Sequence, residues 1–134
     1  MKTIATILIA LIPIISHASG ITNGEYELTF WMSNDNGLQQ NITITNLSWT
    51  HNLTAMYFDV IVDKNGSLKK FDGDNQIVRG LVYEGKFKFI IPYANVVDVT
   101  PYIFEGDNTD TNGLFEGDGQ GGGNIAFHFW MKKK

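Results

Sequence analysis

From Tyr26 to Met131 the chain alternates apolar and polar residues with a period of two, almost without a break. Successive side chains of a strand point to opposite faces, so this period specifies half-buried β-strands and argues against amphipathic helices. The clearest run sets Met56, Phe58, Val60 and Val62 against Tyr57, Asp59, Ile61 and Asp63. Others set Tyr26, Leu28, Phe30 and Met32 against Glu25, Glu27, Thr29 and Trp31, and Phe87, Phe89 and Ile91 against Lys86 and Lys88. A last run sets Ile125, Phe127, Phe129 and Met131 against Ala126, His128 and Trp130. One phase slip occurs: Ile42 and Ile44 are even, Leu47 and Trp49 odd, which predicts a bulge or bend near Asn46.

Turn chemistry separates the runs. Asn34-Asp35-Asn36-Gly37, Asp63-Lys64-Asn65-Gly66 and Glu84-Gly85 supply residues that tolerate positive φ or bond their own backbone. A weaker strand is expected from Leu68 to Phe71, before a turn at Asp72-Gly73-Asp74-Asn75. Pro92 and Pro101 bracket a less regular piece around Val96 to Val99. Phe104-Glu105-Gly106-Asp107 is echoed by Phe115-Glu116-Gly117-Asp118, which predicts adjacent strands leaving the sheet through the same turn chemistry. Eight or nine short strands at spacings of about 8–12 residues define an all-β fold. Short connections favour a small antiparallel up-and-down barrel of about eight strands over the alternative β-sandwich, because closure removes exposed edges. Charges at Asp59, Asp63, Lys86 and Lys88 argue against a membrane-spanning barrel. The proportions resemble those of lipocalin- and avidin-like barrels, but no stretch reproduces a signature motif, so no residue role is carried over.

The N-terminus follows another rule. Lys2 is the only charge before Glu25, Ile4 to Ile15 is apolar apart from Thr6, and Ser16-His17-Ala18 ends the segment with small residues at −3 and −1. Residues 1–18 therefore read as a cleaved signal helix, and 19–134 as a single barrel-like domain. Twelve helical residues reach about 18 Å, short of the hydrocarbon core of about 30 Å, so no stable membrane insertion is expected after cleavage. The formal charge of −4 becomes one unit more negative when Lys2 leaves, which disfavours nucleic acid as a partner. There is no cysteine, unlike most small domains secreted by eukaryotes. That absence outweighs four Asn-X-Ser/Thr triplets at Asn41, Asn46, Asn52 and Asn65, and favours a periplasmic or secreted bacterial setting.

Chemistry-bearing residues are sparse. Asn108, Asp110 and Asn112, followed by Gly113, match the one-three-five-six spacing of a calcium loop, and Glu116 falls at position nine. Position twelve is Gly119, where a bidentate Glu belongs, so calcium is a partial match and no other cofactor is expected. His51 and His128 are the only histidines beyond the signal, too few for a three-histidine zinc site. No nucleophile elbow, P-loop or dinucleotide fingerprint occurs. Trp31, Tyr57, His128 and Trp130 share the less apolar faces of their strands, so they either line a ligand pocket or sit as surface aromatics. The leading expectation is an exported, non-catalytic domain that binds a small molecule, a glycan or a protein. A barrel-type cyclase or isomerase using a buried His or carboxylate, and a structural surface or matrix protein, are the alternatives.

Overall fold

Each strong alternating run becomes one strand. The computed structural model describes residues 20–31, 37–68, 74–92, 101–121 and 125–134, so residues 1–18, expected to be a signal, and residues 34–36 of an expected turn lie outside the described residues. Val96 to Val99, most of the Leu68–Phe71 run, and Asp72 and Gly73 lie outside them too. The strands are β1 (Gly24–Trp31), β2 (Leu38–Trp49), β3 (Ala55–Val62), β4 (Gln76–Tyr83), β5 (Lys86–Ile91), β6 (Tyr102–Asp107), β7 (Leu114–Gly121) and β8 (Ile125–Lys133). Every strand pairs antiparallel with its neighbours in chain order. β1 also pairs with β8, from Tyr26 opposite Lys133 to Trp31 opposite His128, and this closes the barrel and removes the sandwich alternative.

Local chemistry explains the corners. The slip at Asn46 is a bulge: pairing of β2 with β3 shifts between Thr45 and Ser48, and Asn46 takes a φ of 55°. Glu84 and Gly85, with φ of 53° and 76°, make the two-residue turn from β4 to β5. The sequence echo is corrected in part. Its copies do lie on adjacent strands, with Glu105 opposite Asp118 and Gly106 opposite Gly117, but the second copy runs through the middle of β7. Its physical meaning is a wall pattern: Phe104 and Phe115 are buried inside, while Glu105 and Glu116 are exposed outside.

The inside of the barrel is filled with side chains. Phe30, Phe58, Phe87, Phe89, Phe104 and Phe129 are fully buried, with Leu28, Ile42, Ile44, Ile91 and Met131 among them. Rings connect in a continuous chain, from Tyr26 through Phe115, Phe87, Phe129 and Phe104 to Phe30. The glycines of the wall make this density possible. At Gly80 a Cβ would fall 2.1 Å from the Phe58 ring, and at Gly119 2.4 Å from the Phe127 ring.

Both ends are covered by chain. Leu68, expected on a strand, lies instead in a turn after β3 and is buried as a plug. Gln40 points inward from β2 and holds that turn: its Nε2 donates to the carbonyls of Asp63 and Asn41, and its Oε1 accepts from the Leu68 backbone N–H at 3.0 Å. Gln40→Ala strips these partners from buried backbone groups and is expected to lower stability by about 1–3 kcal/mol in urea unfolding. At the opposite end Ile21 is buried, and its backbone N–H donates to Asn108 Oδ1 at 2.9 Å. The Tyr26 hydroxyl donates to the Thr22 carbonyl beside it.

Candidate functional site

Closure of β1 on β8 brings three of the four aromatic and histidine candidates together. Trp31 lies opposite His128 and Thr29 opposite Trp130, so Trp31, His128 and Trp130 share one patch. That patch is on the outer wall. Tyr57 is also outward but stands on β3, opposite Leu81, with the Arg79 guanidinium 5.8 Å from its ring centre. It belongs to a different face, one that carries Ile77, Tyr83 and Ile90 as exposed apolar side chains.

The outer patch is held in a defined shape. Asp118 lies opposite His128 and Glu116 opposite Trp130 on β7, because alternate residues of a strand share a face. His128 Nδ1 is 3.0 Å from Asp118 Oδ1, and its Nε2 is 3.2 Å from Glu116 Oε2. The hydrogen bond to Asp118 holds the imidazole above its ordinary pKa, helped by the bond to Glu116, while partial burial pulls the other way. The ring also meets Trp130 edge to face, with centroids 4.7 Å apart.

Trp31 is fixed from its other side. Three contiguous benzenoid carbons of its indole lie 3.1–3.3 Å from where a Cβ on Gly37 would stand. Such nearly equal distances place Gly37 over the face of the ring, since an approach along the ring edge would leave the flanking carbons much farther away. Gly37 has a φ of 86° and no side chain to push the ring off. Trp31 rests on the backbone at Gly37 and remains 48% exposed. The sequence marked Trp31, His128 and Trp130, but Glu116 and Asp118 as their partners, and Gly37 as a platform, emerge only from the register.

The calcium spacing is not assembled into a cage. Asn108 spends its side-chain oxygen on Ile21, and Asp110 Oδ2 accepts from the Gly113 backbone N–H at 2.7 Å. Asn112 and Gly113, with φ of 53° and 78°, form a tight turn between Thr111 and Leu114, whose backbones exchange hydrogen bonds in both directions. Glu116 faces His128 instead. That spacing is what an Asx-rich hairpin turn also produces. Among the described residues no group of three or more His, Asp or Glu side chains could hold a metal ion. Glu116 and Asp118 approach opposite edges of one imidazole and do not converge. His51 lies exposed in the turn between β2 and β3.

Comparison with protein-family models, curated protein sequences and solved structures found no match.

Proposed function

We propose that this protein is an exported, non-catalytic recognition domain that binds a glycan on the outer wall of its barrel, across Trp31, His128 and Trp130. The observation that carries the reading is the pre-set indole of Trp31, flat on Gly37 and half exposed, on the same wall as a bridged imidazole and its carboxylates. Pyranose rings present an apolar C–H face and a rim of hydroxyls. An exposed indole suits the first, and carboxylate oxygens accept from the second. Side chains held in place lose little entropy on binding, which favours affinity from a small surface.

The rest of the barrel supports this choice over its rivals. A pocket enzyme of the cyclase or isomerase kind needs an inward carboxylate or histidine, and among the described residues the buried polar side chains are Gln40 and the tyrosines Tyr26 and Tyr102. Membrane-spanning barrels carry an apolar outer band and a polar lumen. Here Phe rings fill the inside, while Lys86, Lys88, Glu105, Asp107, Glu116 and Asp118 stand outside. A closed ring of strands presents no unpaired edge for assembly into a matrix by strand addition. Export itself rests on the signal character of residues 1–18.

Calorimetric titration with cellohexaose and chitohexaose tests the proposal. Binding to at least one is expected, weakened about tenfold or more by Trp31→Ala and by Trp130→Ala, as for a central aromatic contact. The melting temperature of each variant should stay within a few degrees of the parent, because both side chains lie outside the core. No binding, or binding indifferent to both substitutions, contradicts the assignment.

A second reading is favoured by the exposed Tyr57, Ile77, Tyr83 and Ile90 on β3, β4 and β5. They share one face of the wall with Arg79 and Lys88 between them, and exposed apolar side chains grouped on one face mark protein contacts. Ile77→Asp would then abolish a protein interaction and leave oligosaccharide binding intact.

A further inference from the structure

The imidazole of His128 sits between two carboxylates that it cannot satisfy in its neutral form. A neutral ring has one N–H and one lone pair, so it can donate to Asp118 or to Glu116 but not to both. Only the imidazolium donates from both nitrogens, and both contacts are at hydrogen-bond distance, 3.0 and 3.2 Å. We propose that His128 is a proton-operated clamp on the recognition face, closed across Asp118 and Glu116 when the ring carries two protons and opened at one side when it carries one.

The surroundings make the clamp a local device. From β7 only Glu116 and Asp118 face the ring. From β1 its cross-strand neighbour is the uncharged Trp31, and the next charges on that side, Glu27 opposite Lys132, lie two rows along the wall. On β8 itself the adjacent outward residue is Trp130. Glu105 on β6 reaches the cluster only through Asp118, its cross-strand partner. Loss of the proton leaves a lone pair facing a carboxylate. It also raises the local charge of the three side chains from −1 to −2. One carboxylate must then swing away, and the ring loses the brace that sets it edge-on to Trp130.

The direction of the pH effect follows from the bonds. Both raise the affinity of the ring for its proton, so the clamp is closed at mildly acidic pH and opens as pH rises through a value above the ordinary histidine pKa of about 6.5. Its contribution to folding has the same sign: fully present below the unfolded value, and lost as pH rises through the folded one. If the glycan reading holds, on which this second level rests, affinity at the patch falls over the same interval.

Two measurements on the full mature chain separate the levels. Long-range proton–nitrogen NMR of the free protein reads the ring directly. Both His128 nitrogens should be protonated below the midpoint, the midpoint should lie above about 6.5, and Asp118→Asn should lower it more than Glu116→Gln. A midpoint at or below that value, or one unmoved by either substitution, overturns the clamp whatever the protein binds. Titration with chitohexaose and cellohexaose across the same pH range reads the coupling. Affinity roughly fivefold weaker above the midpoint, with the pH dependence abolished in His128→Gln, supports it. Affinity flat across the His128 transition overturns the coupling. Absence of binding at every pH contradicts the glycan reading and its coupling, while the ring titration still decides the clamp.

Discussion

Phe104→Ala is expected to lower the free energy of unfolding by about 3–5 kcal/mol, the range for truncating a fully buried phenylalanine. Phe104 has no exposed surface and lies at the centre of the ring cluster. It stacks on Phe89 at 5.0 Å and meets Phe127 and Phe129 at 5.3 Å and Phe30 at 5.7 Å, all between ring centroids. These partners come from three other strands, β5, β8 and β1, in a closed wall that cannot collapse far inward to refill the space. The loss should therefore fall at the upper end of that range and take a large share of a total stability of about 5–15 kcal/mol. Urea unfolding followed by tryptophan fluorescence measures it. A cost below about 1.5 kcal/mol would mean that the interior is less well packed than described.

The opposite error, adding volume, should be nearly as costly at Gly80. This residue lies opposite Phe58 across β3 and β4, and the Phe58 ring occupies the space a side chain would need. Gly80→Val is expected to destabilise by at least about 1–3 kcal/mol, since the ring must leave its rotamer or the strands must part. Phe58→Ala alone opens a cavity in a site that is only 1% exposed and should cost about 3–5 kcal/mol. Combined, the two changes partly compensate, because valine fills what phenylalanine vacates. The double variant should be more stable than the sum of single effects by about 0.5–3 kcal/mol. Strict additivity in urea unfolding would show that ring and glycine do not share one space.

The strands are legible because one face of each is core and the other is not, and a period of two resumes after the one slip at Asn46. Phe87, Phe89 and Ile91 against Lys86 and Lys88 could be read straight from the chain, as could the bulge at Asn46. Barrel closure was an inference from short connections, and it is the pairing of Tyr26 through Trp31 with β8 that replaces the sandwich. Leu68 falls in a turn where a strand is expected, because a single buried leucine among polar residues carries no period, and a plug over a barrel end leaves no other trace. The Asn108-Asp110-Asn112 spacing is ambiguous for a physical reason: oxygen-rich side chains on a sharply turning backbone serve both cation loops and tight hairpins. The site was half legible. Trp31, His128 and Trp130 stood out by their face, but what surrounds them depends on which residues of β7 and β1 fall opposite β8. A shift of one residue would have turned Glu116 and Asp118 away from His128. Cross-barrel register is set by the whole closed wall, and no local stretch encodes it.

The central claim is that recognition takes place on the outside of the wall and not within it. The indole N–H resonances of Trp31 and Trp130, followed by two-dimensional NMR during addition of cellohexaose or chitohexaose, test it most directly. The account predicts that these two signals and the His128 ring shift together, while the backbone amides of Phe104, Phe89 and Phe129 stay in place. Shifts concentrated on those interior residues, with the two indoles unmoved, would contradict it.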